Sequence, residues 1–344
     1  MTGIIDVAAR AGVSATTVSR ALRGLPGVSD TRRRMIRDIA AEMGYVASPS
    51  AAGLPTGRTG AVGVVSPPVA SGWYFTAIAE GVQEVISGAG YDVLRYGLTH
   101  IETERRHAVD TQLLRKRVDG LVVLSLPLTP DEVNALVTMQ RPVIAVGPVM
   151  PGISTVRIDD VEVGRTAVRH LVNLGHRRIG FAGGDPGHSL GFPVAPDRQQ
   201  GYEEVLREAG IEPDPKLVAP AKFIAEAGVQ AYAEFKRRGP LPTAIFAVSD
   251  EVAMGVVHAA RADGVRMPED LSVVGVDDHD LAWVFGLTTV AQPVREQGRI
   301  AADSLLERMR TFGTATYPGV EVTTMPTELI IRSSTAPPRA AAHR

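Results

Sequence analysis

The sequence predicts an α/β core of two doubly wound parallel-sheet lobes, preceded by a small all-α head that carries a helix-turn-helix. Three observations predict it. Residues 6–23 read as two short helices broken at Gly12. From Ala61 onward, short apolar runs alternate with amphipathic helical stretches, the pattern of parallel sheets covered by helices on both faces. That pattern restarts near Asp160, and the 344-residue chain is too long for one such sheet, so two lobes with a cleft between them is the economical arrangement.

In the head, Ile5, Ala8 and Ala9 fall at i, i+3 and i+4 and predict the buried face of a first helix. Gly12 ends it, because glycine takes a positive φ without a Cβ clash. Val13 is a buried turn residue, and Ser14 is placed to cap a second helix with its hydroxyl. Val18 and Leu22 share the inner face of that helix, leaving Ala15, Thr16, Ser19, Arg20 and Arg23 outward. A helix pair of this kind is also met as an ordinary αα-hairpin in a globular core. The polar, cationic outer face instead fits a recognition helix lying in a DNA major groove. Ser29 is the expected cap of a third helix with Ile36, Ile39, Ala40 and Met43 inside and Gly44 at its end. Its first turns carry Arg32-Arg33-Arg34, where the helix dipole disfavours cations, a placement better suited to phosphate contact than to helix stability.

Residues 45–58 are rich in small side chains and read as a linker. Ser48-Pro49 is a cap and first-turn pair for a short helix, but Gly53 and Pro55 argue against a helix stable on its own. Strands are expected at 61–66, 92–96, 120–125, 142–146, 178–182, 244–248 and 272–276. Helices are expected at 75–87, 104–115, 163–174, 198–209, 225–237, 250–262 and 294–310. In parallel sheets of this type ligands sit at the C-terminal strand ends.

Composition narrows the function. The chain is 44% hydrophobic and contains no cysteine, which excludes disulfides and thiolate metal sites and fits a reducing compartment. There is no apolar signal core and no stretch near the length of a membrane span, so a soluble cytoplasmic protein without membrane contact is expected. The net charge of −2 hides an asymmetry. Residues 1–58 carry eight Arg against four acids, and the remainder is acidic, so a polyanion partner is expected for the head alone. A solvated charged surface would give the same count.

Enzyme motifs fail on their context. Residues 187–191 match G-x-S-x-G, but Pro193 and Pro196 interrupt the helix that a nucleophile elbow requires. Residues 180–187 lack G-x-G-x-x-G spacing, there is no P-loop, and the eight His never form H-E-x-x-H. No catalytic residue, metal or cofactor is expected. Asp250 and Asp278 stand at strand ends, where they serve equally as helix or turn caps or as ligand-facing groups.

Nine segments, in order, resemble the LacI-type family of bacterial transcription regulators over nearly the full chain. They are DVAARAGVSATTVSRAL at 6–22, VSDTRRRM at 28–35 with GY at 44–45, GRTGAVGVV at 57–65, HLVNLGHRRIGFAGG at 170–184 and RQQGY at 198–202. PTAIFAVSDEVAMGV at 242–256, PEDLSVVGVDD at 268–278, LTTVAQPV at 287–294 and PTELIIRSST at 326–335 complete the series.

The resemblance implies a head at 1–46, a hinge at 47–58 and a core at 59–344 similar to the periplasmic sugar-binding proteins, working as a homodimer on a near-palindromic operator. The core divides into an N-terminal lobe (about 59–160 plus 292–320), a C-terminal lobe (about 161–291 plus 321–335) and a frayed tail at 336–344. By position, Ala15, Thr16 and Arg20 would face base edges. Ser14, Thr17 and Ser19 would contact phosphates or cap the helix, joined by Arg23 and Arg32. Leu54 would wedge into the minor groove and bend the duplex. Arg20 has independent support, since its fork matches guanine. The hinge departs from the family: Ala47 and Ser48 replace Pro-Asn, Ala52 replaces a common Arg, and Gly53 and Pro55 intrude, which predicts a weaker hinge helix.

For the cleft, the resemblance points to Phe75, Ile158, Arg198, Phe223, Ser249, Asp277 and Gln292 around a small-molecule effector, a sugar or sugar derivative. Gly72-Trp73-Tyr74-Phe75 stands where the family has Asn-Pro-Phe-Phe. Ser249 replaces an Asn, and Gly147 lies near where some sugar-binding members carry an acid. Aromatic stacking with Arg, Asp and Gln hydrogen bonds is the chemistry of a sugar site. Effector binding would change the lobe angle and so the spacing of the heads. The alternative is a cleft-binding protein or enzyme whose head docks a protein rather than DNA.

Overall fold

The computed structural model describes residues 3–22, 26–45, 58–67, 72–97, 111–126, 128–184 and 194–339. The expectations for Arg23, the hinge with Leu54, and the G-x-S-x-G segment fall outside these residues.

Three helices, α1 (Ile4–Ala11), α2 (Ala15–Leu22) and α3 (Asp30–Glu42), make the head. They close over Val7, Ala8, Val18, Ala21, Ile36 and Ala40. Gly12 ends α1 with φ 64°, and the Val13 N–H reaches back to the Ala8 carbonyl at 3.1 Å. Ser14 caps α2, its Oγ accepting from the Thr17 N–H at 3.1 Å. Two expectations shift. Ile5 is 74% exposed and Ala9 is also outside; the inner stripe is Ile4, Val7, Ala8 and Ala11. Adjacent isoleucines permit either register, and the one that buries the larger Val7 prevails. Ser29 does precede α3, but it makes no side-chain cap bond.

The core has two six-stranded sheets. The first runs β11-β5-β4-β3-β1-β2, with β1 (Ala61–Ser66), β2 (Asp92–Gly97), β3 (Gly120–Leu124), β4 (Val143–Val146), β5 (Ser154–Arg157) and β11 (Val322–Thr324), all parallel. The second runs β12-β10-β9-β8-β6-β7, with β6 (Ile179–Ala182), β7 (Val218–Ala219), β8 (Ala244–Ala247), β9 (Ser272–Asp277) and β10 (Thr288–Ala291) parallel, and β12 (Glu328–Ile330) antiparallel at the edge. The inner strands are buried along their whole length, as sheets covered on both faces require.

Around the first sheet lie α4 (Trp73–Gly88), α5 (Thr111–Arg117), α6 (Pro130–Val137) and α12 (Val294–Thr311). Around the second lie α7 (Asp160–Asn173), α8 (Val194–Glu208), α9 (Ala225–Arg238), α10 (Asp250–Ala262) and the single turn α11 (Ala282–Phe285). Helices pair off at facing glycines: Gly81 with Gly298, Gly164 with Gly201, and Gly228 with Gly255. At each of these a Cβ would run into a backbone carbonyl of the partner helix.

The chain passes between lobes three times, at 158–159, 292–293 and 325–327. Residues 322–324 therefore belong to the N-terminal lobe, pairing with β5, and not with the 321–335 stretch assigned to the other lobe. The start of the expected frayed tail is held in place. Ala336 O accepts from His176 Nε2 at 2.9 Å and from Ser272 Oγ at 3.1 Å, and Arg339 reaches Asp270 at 3.2 Å. Among the described residues no helix is long and apolar enough to cross a membrane.

Candidate functional site

Two sites follow from the residues upward, one on the head and one between the lobes. On α2, Thr16 and Arg20 are exposed and Ser19 is half-exposed. Ala15 is half-buried against the head's core rather than outward, because it lies one turn before Val18 on the inner side of the helix. Thr17 shares a hydroxyl contact of 2.9 Å with Ser14, so both belong to the cap. Arg20 folds its guanidinium onto the Pro26 carbonyl, with Nε at 3.0 Å and Nη2 on the same oxygen. Arg32 and Arg34 stand exposed in the first turns of α3.

Between the lobes, Arg198 on α8 is the organising cation. It is only 3% exposed, and its Nε and Nη2 both lie 2.9 Å from Asp160 Oδ1, while Nη1 donates to the Val248 carbonyl. Asp160 opens α7 just past the first crossover, so Arg198, with two nitrogens on one Asp160 oxygen and a third on Val248, ties the crossover to the end of β8. Asp277 ends β9 at φ 120° and accepts from Gln292 Nε2 at 2.6 Å. Gln292 lies on the second crossover and accepts in turn from Gln297 Nε2 at 2.9 Å. Burial pushes the Asp277 carboxyl up to about 7; Arg198 and the Gln292 bond oppose the shift, and Glu251 and Asp160 add to it.

Asp250, the first residue of α10, is held well above the ordinary carboxylate range by burial and then by the neighbouring Asp277. Its Oδ2 accepts from the His279 N–H at 2.9 Å. Ser249 is the N-cap of α10, accepting from the Val252 N–H at 3.4 Å. Asp278 turns to Arg332, 2.7 Å away, a structural pairing on the side of β12. Ile158 is buried at the first crossover, its carbonyl taken by Arg157 Nε at 2.7 Å. Phe223 follows β7 and is 37% exposed.

The aromatic beside the charged group is Tyr74 more than Phe75. Burial pushes the Tyr74 hydroxyl up to about 12, and Asp160, Asp277 and Arg198 all act on it. Its oxygen lies 3.5 Å from Ser125 Oγ. Phe75 meets Tyr74 edge-on at 5.3 Å and packs toward the N-lobe core. A Cβ at Gly147, which has φ 109°, would strike the Ser125 hydroxyl, so an acid there would have to displace that hydroxyl and adopt a strained backbone. Two further residues were not legible beforehand: Glu251 on α10 accepts from the Trp73 N–H at 3.3 Å, and His279 lies against the Trp73 ring. Asp160 and Glu251 look in the sequence like ordinary first-turn acids, and only the fold carries them to the cleft. Among the described residues no cluster of three potential ligands could hold a metal.

Comparison with known proteins places both parts of the chain. The model described as "Bacterial regulatory proteins, lacI family" matches residues 3–48, and the "Periplasmic binding protein-like domain" matches 168–335. The HTH-type transcriptional repressor CytR of Escherichia coli K12 is 34% identical over 337 residues, covering 96% of this chain and 95% of its own. The lac repressor dimer, solved with operator and the anti-inducer ONPF, matches at TM-score 0.83 and 26% identity over 97% of this chain and 99% of that one. The transcriptional regulator CelR, solved as a cellobiose complex, matches at TM-score 0.68 and 29% identity over 97% of this chain and 100% of that one. With the helix-turn-helix head and the two-lobed core in one chain, the protein belongs to the LacI family of bacterial DNA-binding transcriptional regulators and is not an enzyme.

Proposed function

We propose that the protein is a homodimeric repressor that reads a near-palindromic operator and is controlled by a sugar or sugar derivative bound between its lobes. On the DNA side, Arg20 and Thr16 read base edges, and Ala15 offers only apolar contact. Ser14, Thr17, Ser19, Arg23 and Arg32 hold phosphates or cap the reading helix, and Leu54 wedges the minor groove. In the cleft, Arg198, Asp277 and Gln292 bond hydroxyls, Tyr74 and Phe75 supply an aromatic wall, and Ile158, Phe223 and Ser249 shape the edges.

One observation carries the control. Asp160 and Gln292 lie at two of the crossovers, and each is bonded to a cleft residue, Arg198 or Asp277. A ligand that takes over either bond changes what holds the crossovers, and hence the lobe angle and the spacing of the heads. It acts only insofar as it binds one lobe arrangement better than the other. The cellobiose complex of the similar regulator CelR is in keeping with a sugar effector.

The test uses the full-length protein. An operator is first selected from a random duplex pool, and sugars, nucleosides and small acids are then screened by thermal shift. A sugar hit should change operator affinity at least about fivefold, the lower end of common allosteric couplings. Gln292→Ala should weaken that hit and, because it removes the bond to Asp277 at the second crossover, should also shift ligand-free operator binding. Operator binding with no hit in the screen overturns the effector half, and hits confined to nucleosides or acids overturn the sugar.

A further inference from the structure

We infer that Trp73, Glu251 and His279 form a latch between the lobes that holds the cleft shut. The inference rests on the cleft being the control site. It begins with a helix that lacks a cap of its own. Helix α4 starts at Trp73 after Gly72, which has no side chain to satisfy the first-turn N–H groups. The missing acceptor comes from the other lobe: Glu251 Oε1, on the first turn of α10, takes the Trp73 N–H across 178 positions of sequence. A carboxylate at a helix N-terminus is favoured by the dipole as well as by the hydrogen bond.

The Trp73 side chain makes the second half of the latch. Its ring lies 4.9 Å from the His279 ring, tilted by 36°. His279 is itself fixed, its N–H on Asp250 Oδ2 at 2.9 Å and its Nδ1 accepting from the Leu281 N–H at 2.9 Å. That bond leaves Nδ1 bare, so the ring is the neutral tautomer protonated on Nε2.

Each latch residue lies within two positions of a residue of the cleft group. Trp73 precedes Tyr74, Glu251 follows Asp250, and His279 stands two beyond Asp277. A ligand that engages Tyr74 from one lobe and Asp277 from the other therefore pulls on both halves of the latch. The latch is one hydrogen bond and one ring contact, so it opens reversibly. It also makes α4, whose partner α12 begins at the second crossover, sense whether the cleft is shut.

The chain has two tryptophans, Trp73 and Trp283, so Trp283→Phe leaves Trp73 as the only reporter. Acrylamide quenching of the full-length Trp283→Phe protein is compared with the same protein carrying Glu251→Ala, His279→Ala or Glu251→Gln. Glu251→Ala and His279→Ala should raise the quenching constant about threefold with unchanged far-ultraviolet circular dichroism. Glu251→Gln keeps a carbonyl acceptor for the Trp73 N–H and should stay near the parent, an outcome that a merely local packing defect would not give. Equal quenching in the parent and in both alanine variants overturns the latch. Raised quenching with unchanged affinity for the selected operator supports the latch and counts against control of DNA binding from the cleft.

Discussion

Arg20 and Asp277 show how single residues are held in readiness. The Arg20 fork is turned onto the Pro26 carbonyl, which orders a long side chain on the outer face of α2. In the proposed reading of the operator, exchanging that carbonyl for guanine costs one neutral acceptor and gains a bidentate pair. Asp277 is held the other way, by burial, at a carboxyl value of about 7 against an ordinary value near 4. The fold keeps its proton up to about pH 7, whereas the unfolded chain releases it near 4. The native state therefore binds more protons across that window, and its stability falls as pH rises from about 4 to 7, then levels. Asp250 pushes in the same direction, partly because of the Asp277 charge, so the difference between the two proteins reports Asp277 together with its effect on Asp250. Asp277→Asn retains an oxygen for Gln292 and carries no charge. It should lose that part of the pH dependence, so that its advantage over the parent grows by up to about 1.4 kcal/mol per pH unit inside the window. Denaturant midpoints from pH 4 to 8 check this, and parallel curves for the two proteins would refute it.

At the scale of elements, close helix pairs decide the architecture. Gly228 of α9 and Gly255 of α10 face each other so closely that a methyl at Gly255 meets the Ala225 carbonyl. Backbone cannot give way as a side-chain tip does. Gly255→Ala gains helix propensity of about 1 kcal/mol in an isolated helix. It should nevertheless destabilise the C-terminal lobe by about 1–3 kcal/mol, as overpacking does. A rise in the thermal midpoint would show that the pair can spread. The inner strands were legible from runs such as AVGVV and AIFA, since only burial on both faces permits such continuous apolar stretches. Strand β5, STVR, and β10, TTVA, were not singled out as strands. Their polar residues are buried by pairing and by side-chain bonds such as Ser154 to the Glu321 N–H at 2.9 Å, which a local pattern does not carry. Helix α6 escaped as well, although Thr129 and Glu132 form a capping box around Pro130 that stands plainly in the sequence. In the cleft, Arg198, Asp277 and Gln292 were reached through family resemblance. Tyr74, Asp160, Glu251 and His279 come together from four elements, and only the topology reveals it.

The proposed homodimer presents two heads to one duplex, so the single chain needs a surface for a second copy. Helix α11 and its flank offer one: Trp283 is 72% exposed, with Leu281 and Val284 exposed beside it. A cluster of large apolar side chains in water marks an interaction site. It lies on the loop between β9 and β10, which also carries His279, so pairing there would couple the partner to the wall of the cleft. Because Trp283 stands in solvent, Trp283→Arg leaves the fold of the monomer intact while placing a desolvated charge in any interface built on this patch. Light scattering at micromolar concentration should find the parent dimeric and the variant monomeric. One head then binds where two did, so operator affinity falls and the slope of log K against log salt drops to about half, following the number of phosphates neutralised. A variant that stays dimeric with the full slope would move the interface elsewhere on the chain. A monomer with the full slope would mean that one head already makes every phosphate contact, and the paired-head reading of the operator would fail with it.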